Sequence, residues 1–338
     1  MATTLRDVAK RVGKSVTTVS RALHDYDDVS PETKELVRRV AAEIGYRPNT
    51  LAQRLQKQTS DTIGLIIPTF GPRFSDPFFS EFLAGIGNTA NRQGYDLLVS
   101  THPPGDVELE AYQTMVAGRK VDGFICVRTR RQDARIEYLS GIDFPFVAFG
   151  RVDGKNSFPY VDEDGRHGMQ LVAEHLARLG RKRIACIIPS LDLTFAQQRL
   201  EGLRHGLEKQ GIPLQEALIR IGDLTQRSGY QQSLELLDLP NPPDAIAAGN
   251  DLMAIGAISA AQEHGLKVGE DISITGFDDI PLAEHIHPAL TTVHQPIYQI
   301  GEMVSEMLIQ QIKKQPLPVR HQLLKPKLVI RQSCGAHA

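Results

Sequence analysis

Three polar side chains in this sequence are suited to hold a small molecule rich in hydroxyl groups: Arg199, Asn250 and Asp278. A guanidinium, an amide and a carboxylate offer donors and acceptors in fixed directions, which matches neighbouring hydroxyls on a sugar ring. The alternative is structural, with Asp278 capping a loop and Arg199 pairing with it. Asp251 and Asp279, each directly after one of these residues, are as consistent with helix caps as with ligand contacts.

A sugar ring also needs an apolar surface to lie on. The sequence has no tryptophan, so phenylalanine or tyrosine must supply that surface. At least one of the adjacent Phe78 and Phe79 is expected in the hydrophobic core instead. The candidates are Phe70, Phe74, Phe78, Phe79, Phe195 and Phe277.

No pattern in the sequence supports catalysis or metal binding. Its 11 histidines show no H-x-x-x-H or H-E-x-x-H spacing, and no G-x-S-x-G or Walker motif occurs. Cys126, Cys186 and Cys334 are scattered without C-x-x-C spacing, which favours buried or incidental thiols. We therefore predict a binding protein that is not an enzyme and has no cofactor or metal.

The candidate residues follow short apolar runs that alternate with helical patterns from Ile63 onward. Continuous apolar strands between helices imply parallel sheets covered on both faces, here two doubly wound lobes near residues 61–160 and 161–290. Ligands bind beyond the carboxyl ends of such strands, where Phe70, Arg128 and Arg151 lie in the first lobe. The run Arg128–Arg131 is unusually basic. Arg128 is a candidate ligand contact, and the alternative interpretation of the run is a solvated basic loop. The predicted strands are 63–67, 96–99, 123–127, 146–149, 184–188, 218–221, 245–248 and 272–277, followed by an extended stretch from 291, a helix near 297–313 and a last strand near 323–330.

The first 48 residues have the pattern of a helix-turn-helix. Thr4 with Asp7 three residues on can cap a first helix, Gly13 supplies the turn, and Ser15 caps a second helix. The second helix then buries Val19 and exposes the residues around it. Ser30-Pro31-Glu32 opens a third helix that runs to Gly45. The alternative is a small helical hairpin at the surface.

The order T-L-x-D-V-A-x-x-x-G-x-S-x-x-T-V-S-R-x-L, then V-S, then G-Y-x-P-N-x-x-A-x-x-L, resembles the lactose/galactose repressor family of bacterial transcription factors. The resemblance extends to R-x-x-G at Arg199, N-D at Asn250 and G-F-D-D ending at Asp279. It implies an all-α helix-turn-helix headpiece (1–48), a hinge helix (49–60) and an α/β core of two doubly wound parallel-sheet lobes (61–338), as in periplasmic binding proteins. In that family the late segments cross back, giving a first lobe of about 61–160 plus 291–321 and a second of about 161–290 plus 322–338.

The resemblance also implies which residues meet DNA. Val16 and Thr17 would set base preference, and Arg21 would reach phosphate or a guanine edge. Leu55 of the hinge helix would be wedged into a base step in the minor groove, its alternative being an anchor on the core. The predicted DNA-binding set is Leu5, Ser15, Val16, Thr17, Thr18, Ser20, Arg21, Asn49, Ala52 and Leu55.

In the family, Arg199, Asn250 and Asp278 face the effector, and the predicted effector set is Phe70, Phe78, Arg128, Phe195, Arg199, Asn250 and Asp278. A sugar is the expected effector, with a purine or nucleoside as the alternative. Leu224 argues mildly against the purine, because several relatives present an aromatic residue there. A sugar receptor without a regulatory role, or an enzyme with a nucleic-acid-targeting arm, are the remaining alternatives.

The charge distribution and the chain ends complete these expectations. Residues 1–60 carry 11 Lys/Arg and 7 Asp/Glu, a positive excess within a chain of net charge −2. No apolar run follows Met1, so we expect no signal peptide and a cytoplasmic protein without a membrane span. The tail from Arg331 holds no leucine heptad, so a homodimer on a palindromic double-stranded operator is expected.

Overall fold

The computed structural model describes residues 3–46, 59–69, 76–154 and 157–335, and divides the chain into two units, Met1–Ser60 and Asp61–Ala338. Within the described part, no helix is long and apolar enough to cross a membrane. Cys126, Cys186 and Cys334 are free and buried, as predicted. Burial raises the pKa of the Cys126 and Cys186 thiols to about 12.

The described residues of the first unit form three helices, α1 (Leu5–Val12), α2 (Val16–Leu23) and α3 (Pro31–Glu43). The backbone N–H of Thr4 donates to the Asp7 carboxylate at 2.9 Å, and Ser15 Oγ accepts from the backbone N–H of Thr18 at 3.0 Å. Gly13 turns the chain between α1 and α2 with a φ of 69°, a conformation that favours glycine. Val8, Val19, Ala22 and Val37 form the fully buried centre of the unit. The predicted helix-turn-helix is confirmed.

The second unit is built from two six-stranded sheets covered by helices. The first sheet has the order β11-β5-β4-β3-β1-β2 and the second has the order β12-β10-β9-β8-β6-β7. All strand pairs are parallel except β10 with β12, which is antiparallel. The predicted fold class is therefore confirmed. The strands are β1 (Thr62–Pro68), β2 (Asp96–His102), β3 (Gly123–Cys126), β4 (Phe146–Phe149), β5 (Tyr160–Glu163), β6 (Ile184–Pro189), β7 (Ile219–Gly222), β8 (Ala245–Ala248), β9 (Ser273–Asp278), β10 (Thr291–His294), β11 (His321–Leu324) and β12 (Lys327–Val329).

In the part of this unit that the structure describes, eight helices cover the sheets, four on each lobe. The helix α11 packs along α4 and against β4, so it belongs to the first lobe although it follows the second in sequence. Apolar side chains from both faces of each sheet form the two lobe cores. The helices are α4 (Pro77–Arg92), α5 (Asp106–Ala117), α6 (Ala134–Gly141), α7 (Gly165–Arg178), α8 (Thr194–Lys209), α9 (Gln226–Leu237), α10 (Asp251–Glu263) and α11 (Ile297–Ile312).

The chain crosses between the lobes three times, at positions that differ from the predicted boundaries. β10 pairs with β9, with Thr291 opposite Thr275, so residues 291–294 belong to the second lobe rather than the first. The single last strand predicted near 323–330 is two strands, and β11 pairs with β5 in the first lobe. The crossings therefore follow β5, β10 and β11.

Candidate functional site

A small cavity of about 70 Å³ lies between the carboxyl ends of the strands of the two lobes. The predicted effector residues Phe78, Arg128, Phe195, Arg199, Asn250 and Asp278 all line it. Phe70 and Phe74 lie outside the described residues. The structure thus brings together every predicted effector residue that it describes.

Arg199 on α8 joins the two lobes in this cavity. Its Nη2 donates to Glu163 Oε1 of the first lobe at 3.0 Å, while its Nη1 donates to the Gly249 carbonyl at 2.6 Å. The Asp278 carboxylate lies 3.6 Å from Nη1. The guanidinium carbon lies 3.5 Å from the ring centroid of Phe277, which is buried beneath it. Arg199 is therefore fixed by both lobes at once.

Three buried polar atoms around Arg199 have no hydrogen-bond partner within the described residues: Glu163 Oε2, Arg199 Nε and Gln295 Oε1. Buried polar atoms are normally satisfied, because an unmade hydrogen bond costs about 1–3 kcal/mol. The three atoms comprise one donor and two acceptors beside one cavity. They are therefore available to a ligand with both donors and acceptors.

Burial has the largest effect on the pKa values of the carboxyl groups in the cavity. It raises the pKa of Glu163 to about 8, although the Arg199 charge acts in the opposite direction. It raises the pKa of Asp278 to about 7, again against the Arg199 charge. Burial also raises the pKa of Asp162 and of Asp76, each against its own arginine partner. The site therefore takes up protons near neutral pH.

Phenylalanines form an apolar wall on the first-lobe side. The Phe78 ring stacks on that of Phe149 with centroids 5.8 Å apart and planes 14° apart. Phe79 is buried under Arg128, whose guanidinium lies 5.1 Å from its ring centroid. Both residues of the adjacent pair belong to the core of the first lobe and line the cavity, and Phe79 is the more deeply buried of the two.

Three residues that line the cavity have a strained backbone. Arg128, Leu224 and Asp278 line it with φ values of 51°, 70° and 119°, a region that side chains other than glycine rarely adopt. The Asn250 amide holds one of them, because its Nδ2 donates to the Leu224 carbonyl at 3.1 Å. Strained residues that persist in a fold cluster at functional sites.

Asn250 lines the cavity and also has contacts within the protein. Its Oδ1 accepts from the backbone N–H of Met253 at 3.0 Å and caps α10, so both ends of the amide are used within the protein. Asp251 and Asp279 are structural as well. Asp251 accepts from Thr292 and from the Ile280 N–H, and Asp279 contacts Arg331 at 2.8 Å.

The segment Arg128–Arg131 is not a solvated loop. Arg128 is half-buried and donates to the Pro68 carbonyl at 2.7 Å and to Asp76 at 3.0 Å. Arg130 bonds the fully buried Glu108 at 2.5 Å. These partners lie in the first lobe and fix the segment there.

The same segment pairs across the cleft with the start of α8, and we call this pairing the interlobe latch (residues 129–131 with 192–194). The backbone N–H of Thr194 donates to the Thr129 carbonyl at 3.0 Å. The N–H of Arg131 donates to the Asp192 carbonyl at 3.0 Å, and Arg130 and Leu193 form an antiparallel bridge. The latch borders a second, outer pocket of about 800 Å³, which shares Arg128 and Leu224 with the inner cavity.

Sequence reasoning missed Asp162, Glu163 and Gln295. All three lie at crossings between the lobes, two at the end of β5 and one just after β10. The run Tyr160-Val161-Asp162-Glu163 is half polar, so it carried no strand signal. The only local mark of Asp162 and Glu163 in the sequence is their position directly before Asp164, which caps the helix α7.

In the first unit, α2 presents the predicted DNA-contacting residues. Val16 is 41% exposed, and Thr17 and Arg21 are exposed one turn apart on the same face. Thr18 and Ser20 are half-buried, Ser15 is occupied as a helix cap, and Leu5 packs against the core of the unit. Asn49, Ala52 and Leu55 lie outside the described residues.

Comparisons with known proteins agree with both parts of the chain. Residues 4–49 match the family model for bacterial regulatory proteins of the lacI family, and residues 173–334 match the periplasmic binding protein-like domain. The transcriptional regulator AglR of Rhizobium meliloti (strain 1021) is 34% identical over 339 residues, which covers 99% of this chain and 95% of AglR.

Solved structures give the same result. The Lac repressor dimer bound to operator and the anti-inducer ONPF matches with a TM-score of 0.87 and 31% identity, covering 99% of this chain and 100% of that one. A complex of the transcriptional regulator CelR with cellobiose matches with a TM-score of 0.75 and 32% identity, covering 98% and 99%.

Proposed function

Because this chain belongs to the lacI family of bacterial regulatory proteins, whose relatives are transcriptional regulators and not enzymes, we propose that it is a repressor controlled by a neutral sugar. The sugar binds in the cleft between the lobes and alters the affinity of the protein for operator DNA. The protein acts as a homodimer in the cytoplasm, and its two-fold symmetry requires a palindromic operator.

The observation that carries the choice of a neutral ligand is that the arginines of the inner cavity are already paired with carboxyl groups. Asp76 pairs with Arg128 at 3.0 Å, Asp162 with Arg151 at 2.6 Å, and Glu163 with Arg199 at 3.0 Å. Among the described residues of the cavity, each arginine already has a carboxylate partner. A phosphorylated or carboxylated ligand would have to break one of these pairs, which costs several kcal/mol in a buried site.

The choice of a hydroxyl-rich ligand rests on the atoms without partners. A hydroxyl both donates and accepts, so adjacent hydroxyls satisfy Glu163 Oε2, Gln295 Oε1 and Arg199 Nε together. The stacked Phe78 and Phe149 provide an apolar wall for the ring. A purine is disfavoured because Leu224, an aliphatic residue, lies at the cavity.

The size of the site favours a ligand that also reaches the outer pocket. Ligand pockets usually measure about 300–1,000 Å³, and the inner cavity of about 70 Å³ is far smaller. The lobes must therefore part for a sugar to enter. Since the inner and outer pockets share Arg128 and Leu224, a disaccharide extends from one to the other.

Regulation follows from a ligand that touches both lobes. Arg199 and the interlobe latch already join the lobes, so a ligand between them changes the balance between closed and open arrangements. In the dimer, a change of lobe angle moves the two first lobes, and with them the hinge helices that precede them in sequence. Leu55 of this hinge acts as the minor-groove wedge, and Val16, Thr17 and Arg21 read the major groove.

A thermal-shift screen of the full chain tests the ligand class. A ligand that binds only the folded state raises the melting temperature. We expect a rise with a neutral mono- or disaccharide and none with the matching sugar phosphate. A response to sugar phosphates alone would contradict the charge argument, and a response to nucleosides alone would replace the sugar by the nucleoside alternative.

A further inference from the structure

The side chain of Arg21, at the exposed end of α2, is held from one side by Asp28. Arg21 Nε donates to Asp28 Oδ1 at 3.0 Å, and Nη2 lies 2.6 Å from Oδ2. The guanidinium carbon also lies 4.9 Å from the ring centroid of Tyr26. The guanidinium plane is thus fixed by a two-point ion pair and by a cation–π contact.

The turn that carries Asp28 and Tyr26 is itself anchored. The N–H of Tyr26 donates to the Arg21 carbonyl at 3.1 Å, and the N–H of Val29 donates to the Tyr26 carbonyl at 3.2 Å. Val29 is buried in the core of the unit. On the other side, Asp25 contacts Lys34 at 3.1 Å and Arg38 at 2.9 Å on α3. The turn therefore holds the backbone of Asp28 beside Arg21, while the ion pair itself is open to solvent, with side-chain exposures of 44% for Arg21 and 56% for Asp28.

The contacts with Asp28 use two of the five N–H groups of the guanidinium and leave three. Within the described residues, Arg21 has no other hydrogen-bond partner. The remaining groups on Nη1 and Nη2 lie on the side away from Asp28, at the end of the guanidinium. This end is the one that binds O6 and N7 of guanine in two-point recognition.

We propose that Asp28 is a specificity-determining residue. Together with the ring of Tyr26, it positions Arg21 to read a guanine in each half-site. This inference rests on the proposed function, in which α2 enters the major groove. Fixing the guanidinium before binding reduces the entropy lost on contact and excludes the orientations in which Arg21 would turn to a phosphate.

A simpler role for Asp28 makes the opposite prediction. If Asp28 only neutralised Arg21, its removal would free a positive charge and add attraction to phosphates. Binding would then strengthen for every DNA sequence, and base preference would not change. If Asp28 positions Arg21, its removal weakens binding to the preferred sequence and flattens the preference for one guanine.

The test is selection of DNA from a random library by the full chain, followed by affinity measurements on the selected site and on single-base variants of it. Four variants are compared with the parent protein: Asp28→Ala, Asp28→Glu, Arg21→Ala and Asp27→Ala. Asp27→Ala is the matched control, because it removes the same charge from the same turn. Thermal melting of each variant establishes that it folds.

We expect Arg21→Ala and Asp28→Ala to reduce discrimination at the same guanine, by about fivefold or more, the lower limit for one two-point contact. Asp28→Glu restores part of it, and Asp27→Ala leaves it unchanged. Tighter binding of Asp28→Ala to all sequences would overturn the proposal in favour of neutralisation, and unchanged base preference in Arg21→Ala would overturn it too. If the parent protein selected no sequence at all, the proposed function would fail along with it.

Discussion

Replacement of Thr194 by proline removes one hydrogen bond of the interlobe latch with little cost to the helix that carries it. Thr194 is the first residue of α8, a position at which proline is favoured. The preceding Leu193 has a φ of −79° and a ψ of 125°, which a following proline accepts. The N–H that proline lacks is the one that donates across the cleft to the Thr129 carbonyl at 3.0 Å. Within the described residues, the Thr194 hydroxyl has no hydrogen-bond partner, so its loss is harmless.

The expected magnitude follows from the bond that is lost. Leaving the Thr129 carbonyl without its donor destabilises the closed lobes by about 1–3 kcal/mol. Since 1.4 kcal/mol is a factor of ten, closure weakens by about 5–150-fold. The proline ring also occupies the space between the nitrogen and the Thr129 oxygen, so this range is a lower limit. Thr194→Ala is the matched control, because it removes the hydroxyl and keeps the N–H.

Hydrogen exchange of the full chain, followed by mass spectrometry, measures this effect without any effector. The informative amide is that of Arg131, which donates to the Asp192 carbonyl in the same latch. Its exchange should accelerate in Thr194→Pro by the factor above and stay unchanged in Thr194→Ala. Equal protection of Arg131 in the proline variant and the parent protein, with both folded, would refute a cooperative latch.

Two further predictions concern the cavity and the hinge. The pKa of Glu163 is raised by burial from 4.5 to about 8, so its stabilising contribution is complete below about 4.5 and is lost as the pH rises toward 8. Glu163→Gln removes this loss, so the melting temperature of the variant relative to the parent should rise between pH 5 and pH 8.5, and a constant difference would contradict the buried-acid assignment. Leu55→Ala should weaken binding to the operator far more than binding to unrelated DNA in a fluorescence anisotropy titration, because only a specific complex kinks the duplex. Equal losses on both DNAs would argue for the alternative role of Leu55 as an anchor on the core.

The sequence was sufficient for the elements whose side chains carry a periodic or capping signal. Ser15 and Ser30 cap helices because their hydroxyls reach orphan N–H groups, and this is visible in any sequence. The apolar strands of both lobes were predicted because their continuous apolar runs are visible in the sequence in the same way. The strand β5 was not predicted, because Asp162 and Glu163 make half of it polar and it has no apolar run to mark it as a strand.

The parts that escaped prediction depend on contacts between distant segments. The interlobe latch is made of backbone bonds, which leave no mark on residue type. Arg128 was predicted at the site, but its pairing with Asp76, 52 positions away, was not. Glu163 and Gln295 enter the cavity only because the chain crosses between the lobes beside them. No local pattern reports where such crossings lie.

The most direct test of the central claim is a titration of operator binding by the full chain with the sugar found in the thermal screen, using the parent protein and Arg199→Ala. Arg199 contacts both lobes, so its loss should abolish the response to the sugar. Because Arg199 also joins the lobes, the affinity of the variant for the operator without sugar is measured alongside, and the variant should still bind the operator specifically. An undiminished response in Arg199→Ala would contradict the account, because the sugar would then act from somewhere other than the cavity between the lobes.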